Sequence, residues 1–334
     1  MPLTQLNFQP GLDTENTPTG AEGRWVDGDK IRFRKGLPQK IGGWTKFSAD
    51  YYVGVGRALE QWYSLDGSRY EALGTDRKIY VYQSGDNQDI TPIRSTDALV
   101  NAISTTTSSN VITITDTSHG ALQGDFVTLS SVSTDVGGIP AATLDAEYEI
   151  LSISNVNAYT IESSATATSS VGPTANCTAT YQLNIGPSIQ TFGYGWGAST
   201  WGASTWGTPR STSSVILDAR LWSINNWGED LIITEKDGGT YEWDLSLGMS
   251  TNRATAIANA PTTSTLSLVS TETRHVICMG TELTIGDNTT LDKMFIRWSD
   301  QENYNFWTPN VTNSAGSQRI AGGSEIRCAR PAKG

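Results

Sequence analysis

The sequence predicts an all-β protein: a β-propeller-like body, incomplete within this chain, with an extended N-terminal arm and an inserted small β-sandwich or barrel domain. Three observations predict it. Short β-branched runs bounded by Gly, Asp, Asn and Ser dominate the chain. No stretch sustains apolar residues at i, i+3, i+4 and i+7, and strong helix formers are sparse. Two distant segments share one outline of three strands and two turns, the self-similarity that marks propeller blades.

Taken in order, residues 1–50 read as an arm ending in a first strand. Phe8-Gln-Pro-Gly11 and Thr17-Pro-Thr-Gly20 are turn sequences, and Ile31 and Phe33 alternate with Arg32 and Arg34 in strand fashion. Between Arg24 and Lys40 stand Arg24, Lys30, Arg32, Arg34, Lys35 and Lys40 against only Asp27 and Asp29. With Trp25, this basic island is a candidate docking arm (Arg24, Trp25, Lys30, Arg32, Arg34, Lys35) for an acidic partner surface; the alternatives are a solvated strand face and direct phosphate contact.

Residues 51–95 carry the first blade, with strands at 57–63, 69–74 and 78–82 and turns at Leu65-Asp-Gly-Ser68 and Asp76-Arg77. The outline recurs within 186–334: strands at 220–224, 229–234 and 240–244, with turns at Asn225-Asn226 and Asp237-Gly-Gly239. A looser third unit holds strands at 275–279 and 293–298 and ends at Trp307. The interval 96–185 is different: rich in Ser, Thr, Ala and Val, without Trp, with strands at 110–115, 124–129, 147–153 and 158–162. It reads as an insertion at a loop tip, where additions are tolerated. The remaining chain has room for about four to five blades.

Trp196, Trp201 and Trp206 recur every five residues, each followed by Gly, with Tyr194 just upstream. A period of five fits neither helix nor strand, so these rings cannot line one face of a regular element. The segment reads as an ordered loop whose indoles pack on the chain's own core, on a neighbouring subunit, or on a ligand such as sugar. Residues of this kind suit surfaces that are apolar on one side and wet on the other, which makes all four candidate subunit-interface residues.

The net charge of −11 over 334 residues argues against a chain that grips nucleic acid as a whole. Cys177, Cys278 and Cys328 are too far apart for a zinc motif or a disulfide framework. No signal peptide and no apolar run of about 20 residues is visible. His119 and His275 lie in no catalytic motif, no phosphate-cradling loop precedes a helix, and the carboxylate pairs Glu229/Asp230 and Asp145/Glu147 are no more than chance expects among 34 acids. The expectation is a protein that is not an enzyme and needs no catalytic residue, metal or cofactor.

Several stretches resemble the tail nozzle and packaged-DNA-stabilising tail proteins of short-tailed bacteriophages: 8–15, Arg24–Phe33 with Gly36–Trp44, the Trp-Gly pentads, and Ile296–Gln301 with Phe306–Pro309. The 124–128 and 138–142 segments are similar to a decorating domain of such virion proteins. The resemblance implies a virion structural protein assembled in the bacterial cytoplasm. It would form a ring, of six copies, that meets the tail adaptor or portal and conducts genomic DNA through its lumen without sequence-specific contact. The rival reading is a carbohydrate-binding β-propeller module that uses the three Trp as stacking platforms for host-surface glycan.

Overall fold

The computed structural model describes residues 8–43, 45, 46, 48, 50–190, 218–249 and 252–330. The chain is 43% strand and 3% helix. Contacts divide it into two units, 1–49 and 50–334.

The first unit holds two small sheets. β1 (Gln9–Leu12) pairs in parallel with β2 (Arg24–Trp25), and β3 (Ile31–Arg34) forms an antiparallel hairpin with β4 (Leu37–Lys40). Lys35 and Gly36 join the hairpin with φ of 51° and 82°. Two successive positive φ angles define the tight turn whose twist matches the flanking strands.

The second unit opens with a four-stranded antiparallel meander: β5 (Gly56–Tyr63), β6 (Arg69–Thr75), β7 (Ile79–Gln83) and β8 (Asp86–Asp89). Eight strands follow: β9 (Ile93–Leu99), β10 (Ile103–Thr105), β11 (Val111–Thr115), β12 (Phe126–Ser130), β13 (Glu147–Asn155), β14 (Ala158–Glu162), β15 (Val171–Thr174) and β16 (Cys177–Gln182), with one short helix, α1 (Ala141–Leu144), before β13. Two more meanders complete the unit: β17 (Trp222–Trp227), β18 (Asp230–Glu235), β19 (Thr240–Trp243) and β20 (Thr255–Ala256), then β21 (Leu266–Val269), β22 (Val276–Met279), β23 (Phe295–Trp298) and β24 (Gly316–Arg319). A four-stranded meander is the topology of a propeller blade, and the described residues contain three, fewer than chain length suggested. The difference lies in the connections: the third meander alone spends 280–294 and 299–315 on loops and turns.

The three meanders stack face to face. Trp62, Tyr70, Ile79 and Val81 of the first share a core with Trp222, Ile224, Leu231, Ile233 and Trp243 of the second. The other face of the second, through Trp227 and Ile232, shares a core with Val269, Val276, Cys278 and Trp307. Strand alternation makes this possible, because residues of one strand serve both faces. Gly74 lies against the second sheet: a Cβ there would stand 2.6 Å from the Trp222 ring. We expect Gly74→Val to displace that indole and lower the melting temperature of the chain; an unchanged melting curve would contradict this packing.

The eight-stranded sheet has the order β15-β10-β11-β14-β13-β12-β16-β9 and is antiparallel throughout. It is one continuous sheet, and β15 and β9 form its open edges. β13 is the corner: Glu147–Glu149 pair with β12, whereas Ile150–Asn155 pair with β14 across two register shifts. Such irregularities let a strand pass from one layer to another. The two halves thereby enclose a single core that includes Ile103, Ile112, Ile114, Val127, Leu129, Ile150, Tyr159, Ile161 and Tyr181.

One turn differs from its sequence reading. Asn225 and Asn226 lie inside β17, paired with Ile232 and Leu231, and the hairpin turns at Gly228-Glu229. The ladder satisfies both Asn backbones, while Trp227 is drawn into the core with Ile232 and carries the strand past the dipeptide that resembled a turn.

Candidate functional site

Of the sequence-selected residues, Tyr194, Trp196, Trp201 and Trp206 lie outside the described residues. The docking-arm residues lie in the first unit, which distributes them over three settings. Arg32 and Arg34 share one face of the β3–β4 hairpin with their cross-strand partners Gln39 and Leu37, and Lys35 stands in the turn between them. All three cations are exposed, and Leu37 is 71% exposed. Arg32 Nε donates to Gln39 Oε1 at 3.2 Å, an amide partner that leaves its charge uncancelled. Among the described residues, neither Arg34 nor Lys35 forms a salt bridge. Lys30 pairs with Asp29 at 3.6 Å, both side chains open to water, an arrangement worth little energetically.

Arg24 and Trp25 have local partners. Arg24 NH1 reaches Asp13 Oδ2 at 3.4 Å, and Trp25 packs on Phe8 with ring centroids 5.3 Å apart. The Asn16 side-chain amide, which donates to the Asp13 carboxylate, holds that carboxyl below its usual range, with Arg24 adding to the effect. The structure thus brings Arg32, Arg34 and Lys35 together as a basic hairpin tip, and assigns Arg24 and Trp25 to the β1–β2 fold.

The carboxylates and histidines singled out by sequence have assigned partners. Glu229 accepts the Leu65 backbone N–H through Oε1 at 2.7 Å, and its carbonyl accepts the Trp62 indole N–H at 2.9 Å. Asp230 accepts Leu245 N–H, and burial raises its carboxyl above the usual range. Asp145 accepts Val132 N–H at 3.0 Å. His119 Nδ1 accepts Ala121 N–H at 3.0 Å while its Nε2 meets Asn155 O at 3.2 Å, so the ring carries its proton on Nε2. His275 Nε2 lies 3.1 Å from Ser314 Oγ. The three cysteines are free, and burial pushes the Cys177 and Cys278 thiols up to about 11.

Sequence reasoning missed a buried ion cluster that joins three parts of the second unit. Lys78, just ahead of β7 and with only 5% of its side chain exposed, pairs with Asp89 of β8 at 2.9 Å and with Glu147 of β13. Arg253, ahead of β20, reaches Asp89 at 3.2 Å and Glu147 at 3.6 Å. Gln182 Nε2 at the end of β16 donates to Glu147 Oε2 at 2.5 Å and to Asp89 Oδ2 at 3.3 Å. Lys78 Nζ also sits 4.1 Å from the Phe126 ring centroid. Burial alone would raise the Asp89 carboxyl; Arg253 and Lys78 outweigh it and hold the group below its usual range. Two cations meet two anions, and their meeting point fixes the eight-stranded sheet to the first and second meanders. No local pattern announces this cluster: Lys78 and Glu147 are 69 positions apart.

Among the described residues, no group of three or more His, Cys, Asp or Glu is placed to hold a metal ion, and no helix is long and apolar enough to cross a membrane.

The class defined by these features is an all-β protein of stacked four-stranded meanders with an inserted eight-stranded sheet and a separate N-terminal unit that presents a basic hairpin. No known family and no curated protein matches the chain. Among solved structures it is similar to the phage phi92 endosialidase, at 11% identity and a TM-score of 0.25, over 87% of this chain and 41% of that one. The chain therefore spans less than half the length of that structure.

Proposed function

We propose that this chain is a structural component of a bacteriophage tail, part of the ring that retains packaged DNA and conducts it at ejection. The observation that carries the reading is the basic hairpin. Arg32, Arg34 and Lys35 stand exposed at one tip of a chain whose net charge is −11, a local inversion suited to docking on an acidic neighbouring protein such as a tail adaptor or portal. The resemblance of the arm and of the Trp-Gly segment to tail nozzle proteins supports the same assignment. An acidic chain also suits a channel, because each phosphate held by a cation adds to a salt-dependent grip on DNA. In this reading the chain performs no chemistry of its own and works in the virion as a homo-oligomer.

The mass of the purified chain by light scattering, with electron microscopy of the particles, tests the proposal. A closed ring with an axial channel is expected; a chain that stays single and binds an arrayed glycan would replace this reading with the carbohydrate-binding one. Trp201→Ala is expected to weaken ring assembly more than it lowers thermal stability, and intact assembly with a large stability loss would overturn the subunit-contact role. Arg32→Glu combined with Arg34→Glu is expected to leave stability within about 0.5 kcal/mol, as exposed substitutions do. The same variant should no longer be incorporated into virions, which mass spectrometry of purified particles checks; normal incorporation would remove the docking role.

A further inference from the structure

After β24 the chain turns back over the second unit, and residues 325–330 pass the starts of β17 and β21. Between this segment and the two strands lies a cavity of about 280 Å³. Trp222 and Ser223 form one wall, Leu266 and Ser267 another, and 327–329 the cover. β17 and β21 are both end strands of their sheets, and proteins often shield such edges with a loop.

Charge is the main hold on this cover. Ile326 N–H donates to Lys293 O at 3.0 Å, and Glu325 beside it pairs with Lys293 at 3.2 Å. Past that anchor, Arg327 reaches back to Glu325 at 2.7 Å and across to Asp218 at 3.3 Å. Asp218 also pairs with Lys236 and accepts from Gln190 Nε2 at 2.8 Å. The Lys236 hydrogen bond keeps the Asp218 carboxyl below its usual range, and Arg327 adds to the effect. Further on, Arg330 acts on Glu60 of β5, opposing the burial that raises that carboxyl. Arg327, Cys328 and Arg330 are exposed and Ala329 is half-buried, so the cover beyond the anchor buries little apolar surface.

We propose that 327–330 is a strap that swings on the anchor at Glu325 and Ile326 and opens or closes the cavity, with Arg327 as its latch. Two features single out this residue. The Arg327 side chain is 61% exposed, against 20% for Asp218 and 10% for Lys236, so dissolved salt screens the latch far more than the pair beneath it. Its departure also strands no charge, because Asp218 keeps Lys236 and Glu325 keeps Lys293. The latch can therefore release without leaving an unpaired buried carboxylate, which the Lys78 cluster cannot do. Opening exposes Trp222, Leu266 and Ser223 to a small ligand from solvent. The strap does not depend on the tail reading.

Thiol labelling of the full chain tests this device. Cys177 and Cys278 are buried and Cys328 is exposed, so Cys328→Ser with Ser223→Cys leaves one new thiol, placed in the cavity wall. A maleimide is expected to label it slowly at low salt. Adding Arg327→Gln should speed labelling about fivefold to tenfold, the effect of losing two partly exposed ion pairs. About 1 M sodium chloride, with a screening length of about 3 Å, should bring the parent to a similar rate and leave the Arg327→Gln chain unchanged. Leu221→Cys, at the exposed rim of the same cavity, gives a second probe and should follow the same order. Equal rates with and without Arg327→Gln overturn the proposal, as does a salt response that survives in that variant. So does labelling of Cys278 that rises in step, which would report general loosening of the fold and no strap.

Discussion

Lys78→Met is expected to destabilise the second unit by about 3–5 kcal/mol, the usual cost of removing one partner from a buried ion cluster. Methionine fills much of the same volume, so the loss is electrostatic. Asp89 and Glu147 would share Arg253 alone, with Gln182 as their remaining donor. The pH dependence separates this cause from simple packing damage. In the native chain the Asp89 carboxyl is depressed from its ordinary 3.8, so its contribution is fully present above that value and is lost as pH falls through the lower, folded value. Without Lys78 the burial that raises this carboxyl is opposed by Arg253 and the Thr91 contact but no longer by the ammonium, so the carboxyl is depressed less and acid should cost the variant less than it costs the native chain. The gap in melting temperature is therefore expected to narrow between pH 7 and pH 3. A gap that stays constant over that window would show that the cluster is not the source of the stability.

Trp222→Ala is expected to cost about 3–5 kcal/mol, in the range for truncation of a buried aromatic. Its indole fills the space over Gly74, shares the core between the first two meanders, and donates to Thr75 O at 2.6 Å. Trp222→Phe keeps most of the ring but leaves the Thr75 carbonyl without that donor, and should cost about 1–3 kcal/mol. Denaturant unfolding of both variants checks the pair. Equal losses for Ala and Phe would mean that the hydrogen bond, not the packing, holds the two sheets together; a loss below about 1 kcal/mol for Ala would mean that the first junction adds little.

Much of the sheet framework was legible in the sequence. β5, β6 and β7, with β17, β18 and β19, fall on the runs that alternation and turn residues mark, and β11–β14 fall on the Val-, Ile- and Thr-rich segments of the insertion. Strand spacing pointed to a small sandwich or barrel there, and the structure has one sheet bent at β13 so that its two halves enclose a single core. β8, β20 and β24 escaped notice because they are short and polar: Asp86–Asp89, Thr255–Ala256 and Gly316–Arg319. These are the last strands of their sheets, and an edge strand needs no apolar pattern, while polar residues there discourage pairing with other chains. The basic island was legible as a cluster of charges, but its partition was not. Arg32 and Arg34 share a face because β3 pairs with β4 in one register, whereas Arg24 is bound to Asp13, eleven positions away.

The sequence by itself determined the β class, the positions of the long strands, the break in composition that sets 96–185 apart, and the acidic charge with its basic exception. Each of these is a property of near neighbours along the chain, where side-chain period and turn chemistry act. Only the tertiary structure decided which face of each meander is covered, where β13 changes partners, and which charges meet in the buried cluster of Lys78, Asp89, Glu147 and Arg253. Those outcomes depend on residues brought together across long loops. The interactions that hold them gain their strength from exclusion of water, and local sequence carries no record of which groups water will leave.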